Sequence, residues 1–312
     1  MKPLVQTDRK NTDDDRPVVH GSLEFPRQAV ANGVDGDVEM PARSQFGSLE
    51  PSWDAPRACR RPAETRATIG GLPITVVDRA GAARTLVDIA LAHRGRGLPP
   101  DFQTSANGQV LALCAAEPEV RRLFLAADAI HADGMAMVFA SRLLSATPLP
   151  ERVATTDLVH DVMRLSAAAG IRSFLLGATP QVNARAIENL RRLYPDLPEI
   201  GGHHGYFSAE EEGGILDLVD DFAPDVLWLG LGVPKEQAFV LRNRDRLRRV
   251  GVIKTAGGLF DFLSGRRMRA PRPLQLLGFE WAWRMMLEPR RLGPRYLATN
   301  LVALRLLLTR TR

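Results

Sequence analysis

The chain predicts an α/β fold: a mostly parallel sheet flanked by helices, with a helical, arginine-rich C-terminal appendage. Three observations predict it. From about Ala67, short β-branched or apolar runs alternate with amphipathic stretches at the spacing of βαβ units. Glycine closes the loops that follow several of those runs. Beyond Gly265 the pattern changes, and between Arg266 and Arg312 eleven arginines face only Glu280 and Glu288.

Residues 1–66 come first and stand apart. They are rich in Pro, Gly, Asp and Arg, and their apolar residues follow no helical or strand period. Such a segment buries too little surface to offset its ordering entropy, so it reads as disordered. Asp13, Asp14 and Asp15 stand where a signal peptide would need an apolar stretch. In the 312-residue chain no run of eighteen apolar residues occurs, so nothing is expected to span a bilayer. Cys59 and Cys114 suggest neither a disulfide framework nor a metal site, which fits a cytoplasmic protein.

The regular region, 67–265, follows. Strands are expected over 74–77, 129–131, 173–176, 226–229 and 252–255. Helices are expected over 82–93, 134–144, 158–169, 182–194, 209–222 and 235–248. In a parallel sheet, ligands sit outside the carboxyl ends of the strands. The loops there are 132–134, 177–180, 230–234 and 256–258, all bearing glycine, with Pro180 and Pro234 opening the next helix. Gly177, Gly232, Gly257 and Gly258 let backbone approach a ligand, and free N–H groups at helix starts attract phosphate. Glycine at such turns is also ordinary punctuation; together the four loops point to a nucleotide on one rim.

Within that rim several side chains can carry chemistry. Asp133 precedes the helix GMAMVFASRLL and reads either as its N-cap or as a general base at a strand end. In ERVATTDLV, Asp157 reads as a helix cap, and Arg152 as a surface residue or a bidentate holder of diphosphate. The run GLGVPKEQ fails the dinucleotide-loop pattern, because Lys235 stands where close strand–helix packing wants Gly or Ala. This disfavours a nicotinamide oxidoreductase. His203 and His204 lack a third ligand at a convincing spacing, and no Asp-x-Asp pair is present to hold a divalent cation on a diphosphate. Phosphate charge then falls to arginine and helix ends, and no cofactor or metal is expected.

The appendage, 266–312, carries helical apolar periodicity over 274–308 with Trp281 and Trp283. Its local excess of positive charge argues for an anionic partner, lipid headgroup or phosphate. Tryptophan beside arginine and leucine suits a helix in the headgroup layer. The alternative is a helical pair packed on its own domain or on another subunit, so a homo-oligomer stays open. No nucleic-acid partner is expected.

In order, these pieces resemble the WecG/TagA/CpsF family of bacterial glycosyltransferases. The matching motifs are ADG at 132–134, ERV with a later Asp at 151–157, FLLGATPQV at 174–182, GGHHGYF at 201–207 and GLGVPKEQ at 230–237. AGGLFDFLSG at 256–265, RAP at 269–271 and LGFEWAWRMMLEPRR at 277–291 follow. The resemblance covers roughly 70–297. It implies a Rossmann-like sheet and transfer of a sugar from a UDP-sugar to a polyprenyl-diphosphate-linked saccharide, without a metal. The setting implied is the inner face of the cytoplasmic membrane, in cell-surface polysaccharide synthesis.

Residue by residue, the resemblance implies that Asp133 is the base and that Arg152 meets the donor diphosphate. It also implies that Asp261 belongs to the GG-x-[FY]-D motif and that the appendage completes the site and reaches membrane. Arg269, Arg284, Arg290, Arg291 and Trp281 are the candidates for that last role. Two departures stand out. Family members usually read Pro-Lys-Gln-Glu, whereas Glu236 and Gln237 are exchanged here. The family's Thr-x-Asn corresponds to TSAN, where Asn107 carries over and Ser105 or Thr104 offers the hydroxyl. A non-catalytic UDP-sugar-binding or assembly protein is the rival reading.

Overall fold

The computed structural model describes residues 64–312, excepting the side chains of Arg291, Pro294 and Arg295. The segment 1–63, with Cys59, lies outside the described residues, and with it nearly all of the tail expectation. At the tail's end Arg66 already opens a strand.

That strand, β1 (Arg66–Ile69), pairs antiparallel with β2 (Leu72–Thr75) across Gly70 and Gly71, both at positive φ. The run expected over 74–77 as part of the parallel sheet is therefore corrected. Its apolar character serves a hairpin whose Ile69, Leu72 and Ile74 are buried in the core.

The main body then proceeds as α1 (Arg79–His93), β3 (Asp101–Ala106), α2 (Gly108–Ala116), α3 (Pro118–Leu125), β4 (Ala129–Ala132), α4 (Met135–Leu144) and α5 (Thr155–Ala169). It continues as β5 (Ser173–Gly177), α6 (Pro180–Leu193), β6 (Ile200–His203), α7 (Glu212–Phe222), β7 (Val226–Gly230), α8 (Lys235–Asn243), β8 (Val252–Thr255) and α9 (Leu259–Leu263). Six strands form one sheet in the order β4-β3-β8-β7-β5-β6, and every pairing is parallel. The α/β expectation holds, and α8 stops at Asn243, short of the expected 248.

Two strands of this six-stranded sheet escape sequence reading for physical reasons. β3 places Gln103, Thr104 and Ser105 in the centre of the sheet, so it lacks the apolar run of a buried strand. β6 carries Gly201 and Gly202 because a Cβ there would meet Phe174 at 2.6 Å and Ile187 at 2.5 Å. Packing excludes the β-branched residues that would have signalled a strand.

Helices cover both faces. One core gathers the hairpin, α2, α3, α4, α7 and α8; the other gathers α1, α5, α6 and α9. The appendage folds as α10 (Arg272–Leu276), α11 (Glu280–Leu287) and α12 (Pro289–Thr309). Helix α12 packs on α2 and contributes Leu306 and Leu307 to the first core. Burying each leucine is worth about 2 kcal/mol. Beyond α12 the chain clips onto the hairpin: Gly71 N donates to Arg310 O at 2.9 Å, and Arg312 N to Thr68 O at 2.9 Å.

Candidate functional site

Strands β3, β4 and β8 bring the chemistry to the carboxyl edge of the sheet. The end of β4 is tied to β3 by Asp133 N donating to Ala106 O at 2.8 Å, and Val153 N donating to Ala132 O at 2.7 Å draws the Arg152 loop across it. The N-cap of α4 is Gly134, with no side-chain cap bond, so the carboxylate of Asp133 is not the helix cap. Among the described residues Asp133 accepts no side-chain hydrogen bond. Burial pushes its pKa up to about 7, and the charge of Glu280 adds to that, against Arg152, Lys254 and Arg269. A carboxyl poised near neutrality and left unbonded is suited to taking a proton.

Asn107 caps α2, its Oδ1 accepting from Val110 N at 3.1 Å, and stands beside Gly134. Ser105 Oγ accepts from Lys254 Nζ at 2.7 Å and lies 3.1 Å from Thr155 Oγ1. Thr104 belongs to another set: it accepts from Gln237 Nε2 at 3.1 Å and from Thr255 Oγ1 at 2.8 Å. The two hydroxyls of TSAN thus point to opposite faces, as alternation along a strand requires.

The KEQ run does not turn as one polar face toward the rim. Lys235 is exposed, while Glu236 and Gln237 are buried. Glu236 Oε2 accepts from Gly232 N at 3.2 Å and from Gly257 N at 3.1 Å, joining the loops that follow β7 and β8. Burial pushes its pKa up to about 7, against those two backbone bonds and Lys254. Gly232 and Gly257 have positive φ and open space where a Cβ would stand. Pro234 precedes α8 after a cis peptide bond. Gly177 is required by packing, since a Cβ there would lie 2.3 Å from Gly230 O.

The appendage closes on the same edge. Arg152 Nη1 donates to Glu280 Oε2 at 2.9 Å and its Nη2 to Gln275 Oε1 at 2.9 Å. Arg269 pairs with Asp157 through both carboxylate oxygens and donates to Gln275 Oε1 at 3.0 Å. The expectation that Asp157 caps its helix is corrected: Ala154 is the N-cap, and Asp157 is held below the usual carboxylate range, chiefly by the Arg269 guanidinium overcoming burial.

Asp261 is not deeply buried; it faces Arg267 at 3.3 Å and Arg266 at 3.7 Å. Gly258, in the preceding turn, also opens toward Arg267. Arg284 lies over the Phe262 ring at 5.8 Å, and Trp281 meets Tyr296 edge-on at 5.8 Å. Arg290 is exposed, and the side chain of Arg291 lies outside the described residues. His203 Nδ1 is 2.9 Å from its neighbour's carbonyl. Among the described residues no group of three or more His, Cys, Asp and Glu is placed to hold a metal ion.

The structure therefore gathers Asp133, Asn107, Ser105, Arg152 and Arg269 at one edge, and adds Lys254, Thr155, Gln275 and Glu280. Of those four, Lys254 had a visible signal, a charge inside the otherwise uncharged run VIKT.

Comparison with known proteins gives a consistent picture. Residues 67–312 match the family model described as the glycosyl transferase WecG/TagA/CpsF family. Similar proteins include two from Staphylococcus aureus, strains MRSA252 and NCTC 8325 / PS 47. Both are named N-acetylglucosaminyldiphosphoundecaprenol N-acetyl-beta-D-mannosaminyltransferase. Each is 28% identical over 192 residues, covering 62% of this chain and 74% of the relative.

Proposed function

Because this chain belongs to the WecG/TagA/CpsF family of glycosyltransferases, we propose that it moves an N-acetylhexosamine from a UDP-sugar to a polyprenyl-diphosphate-linked saccharide, with inversion. The observation that carries the reading is the Asp133 carboxyl, which does not cap α4 and accepts no side-chain hydrogen bond among the described residues. Burial raises its pKa to about 7, and it lies in the field of Arg152, Lys254 and Arg269. The acceptor hydroxyl attacks the anomeric carbon as its proton passes to Asp133. A new C–O bond forms, the bond from that carbon to the diphosphate breaks, and UDP leaves. Arg152 and Arg269 meet the growing diphosphate charge, an electrostatic role that oriented cations fill well in a dry site. Asn107 and Ser105 line the same edge, and Gly232, Gly257 and Gly258 form the rim near the nucleotide, with Asp261 on the helix that follows.

The names of the Staphylococcus aureus relatives support N-acetylmannosamine as the sugar and an N-acetylglucosaminyl-diphosphoundecaprenol as the acceptor. Residues 67–265 act as the transferase domain and 266–312 as the appendage that closes the site and meets the membrane. No helix among the described residues is long and apolar enough to cross a membrane. Surface attachment instead falls to α12, where Leu297, Leu301, Leu304 and Leu308 form an exposed stripe at helical spacing.

The test is to incubate the detergent-solubilised protein with a panel of UDP-sugars and a polyprenyl-diphosphate-N-acetylglucosamine acceptor, in EDTA, and weigh the lipid product. A gain of one N-acetylhexosamine supports the reading and names the sugar. Retained UDP binding with no product from any donor overturns it.

A further inference from the structure

One charged side chain deep in the sheet lies near the base and is not used directly by the reaction above. Lys254 sits in the middle of β8, in register with Gln103 on β3 and Trp228 on β7, and has no exposed surface. Its ammonium makes one hydrogen bond among the described residues, to Ser105 Oγ at 2.7 Å, and Ser105 is in turn 3.1 Å from Thr155 Oγ1. An ammonium has three N–H groups and is among the most costly groups to remove from water, so such a site is destabilising unless a charge answers it. Two carboxylates answer it: Asp133 at the end of β4 and Glu236 in the first turn of α8.

The choice of residue is itself informative. The chain has 41 basic residues, of which four are lysine, and arginine fills the other positions. Arginine would bring a wide planar fork into the sheet, where lysine brings a compact point charge that can be buried.

We propose that Lys254 is a positioning residue for the base: its buried ammonium, fixed by Ser105 and Thr155, holds Asp133 in the ionised form that accepts the acceptor's proton. The proposal rests on the reading of Asp133 as base. The other charges facing Asp133 are Arg152 and Arg269, which act with Lys254, and Glu280, which opposes all three. Glu236 answers Lys254 from the other side, with Oε2 held by Gly232 N and Gly257 N. Arg152 and Arg269 already have carboxylate partners in Glu280 and Asp157, so their charge is largely answered. Lys254 makes no ion pair within 4 Å among the described residues; its ammonium is held by Ser105, and Asp133 and Glu236 share its charge. Ser105 acquires a structural reason as well: its hydroxyl fixes where the ammonium sits.

The experiment uses the full chain with Lys254→Met and, separately, Lys254→Gln, which can keep a hydrogen bond to Ser105 and serves if the methionine variant does not fold. Two quantities are followed. One is the titration of the Asp133 carboxyl by carbon-13 NMR in aspartate-labelled protein, assigned by its loss in Asp133→Asn. The other is the pH dependence of kcat. Expected is an upward move of the Asp133 midpoint by at least about one pH unit, the usual effect of losing an adjacent opposite charge. The acidic limb of kcat should move with it, cutting turnover about fivefold at pH 7. A merely structural role for Lys254 would lower kcat evenly across pH and leave the midpoint where it was, and that result overturns the proposal. If the midpoint rises while the kcat limb stays, Lys254 does hold Asp133 ionised, and it is the reading of Asp133 as base that falls.

Discussion

Arg152 and Glu280, 128 residues apart in the chain, meet at 2.9 Å over the carboxyl edge of the sheet. The pair locks α11 against the loop before α5, and it occupies the guanidinium expected to receive a diphosphate. Glu280 is also the carboxylate whose charge raises the pKa of Asp133. Replacing Glu280 with Gln should therefore do two things. It should free Arg152 and tighten UDP binding by roughly fivefold, about 1 kcal/mol, read by calorimetry. It should also lower the acidic limb of the pH–rate profile, opposite to the effect of losing Lys254. Weaker UDP binding in that variant would mean that Glu280 orients Arg152 rather than competing for it.

Asp133→Asn should keep the fold and lose turnover by about 10²–10⁴-fold, the range typical of a general base. Circular dichroism and UDP affinity should match the parent. With Asp133 intact, kcat should climb as pH rises through about 7, where its carboxyl ionises. Turnover near the parent's in the asparagine variant would remove Asp133 from the chemistry.

Glu236 makes a prediction about stability. Its folded-state carboxyl titrates near 7, above the ordinary 4.5, so between those values the folded chain holds a proton that the unfolded chain releases. Its contribution is fully present below about 4.5 and is lost as pH rises to about 7, a loss on the order of 3 kcal/mol. Glu236→Gln should flatten the fall in Tm across that window while keeping an oxygen for Gly232 N and Gly257 N. A pH–Tm profile parallel to the parent's would place the proton elsewhere.

The bidentate pair of Arg269 with Asp157 fastens the start of the appendage to α5. Arg269→Ala leaves the partly buried Asp157 carboxylate with only the longer contact to Arg152 at 3.6 Å and should cost roughly 2 kcal/mol in chemical denaturation. Limited proteolysis should then cut between Gly265 and Gly278 well before the parent chain is cut. Equal resistance would show that the buried end of α12 holds the appendage by itself.

Leu301 and Leu304 are exposed on the outer face of α12. Changing both to Glu should leave the unfolding free energy within about 0.5 kcal/mol of the parent's yet abolish co-sedimentation with anionic phospholipid vesicles. Activity on a water-soluble acceptor analogue should persist. Undiminished vesicle binding would move the membrane contact off this helix.

The alternation of apolar runs with amphipathic stretches was enough to determine the α/β class. The glycine-bearing loops marked the edge that matters, because a strand followed by a turn and a helix leaves the same pattern in any parallel sheet. Asp133 and Arg152 were legible for a related reason: each is a charge beside an apolar stretch, and burial of charge is costly enough that such placements are rarely idle. Arg269 was reached only through the family resemblance. Strands β3 and β6 were not legible. Thr104 and Ser105 satisfy their hydroxyls with residues as distant as Gln237 and Lys254. Gln103 donates to Asp101 on its own strand, and Gly201 and Gly202 make room for Phe174 and Ile187. The roles of the exchanged Glu236 and Gln237 were hidden likewise, since a staple between two loops exists only once β7 and β8 are neighbours. The same holds for Glu280 on Arg152 and Lys254 near Asp133. Sequence period records what each segment buries, whereas the partner across the sheet is chosen by strand order, and only the tertiary structure decides that.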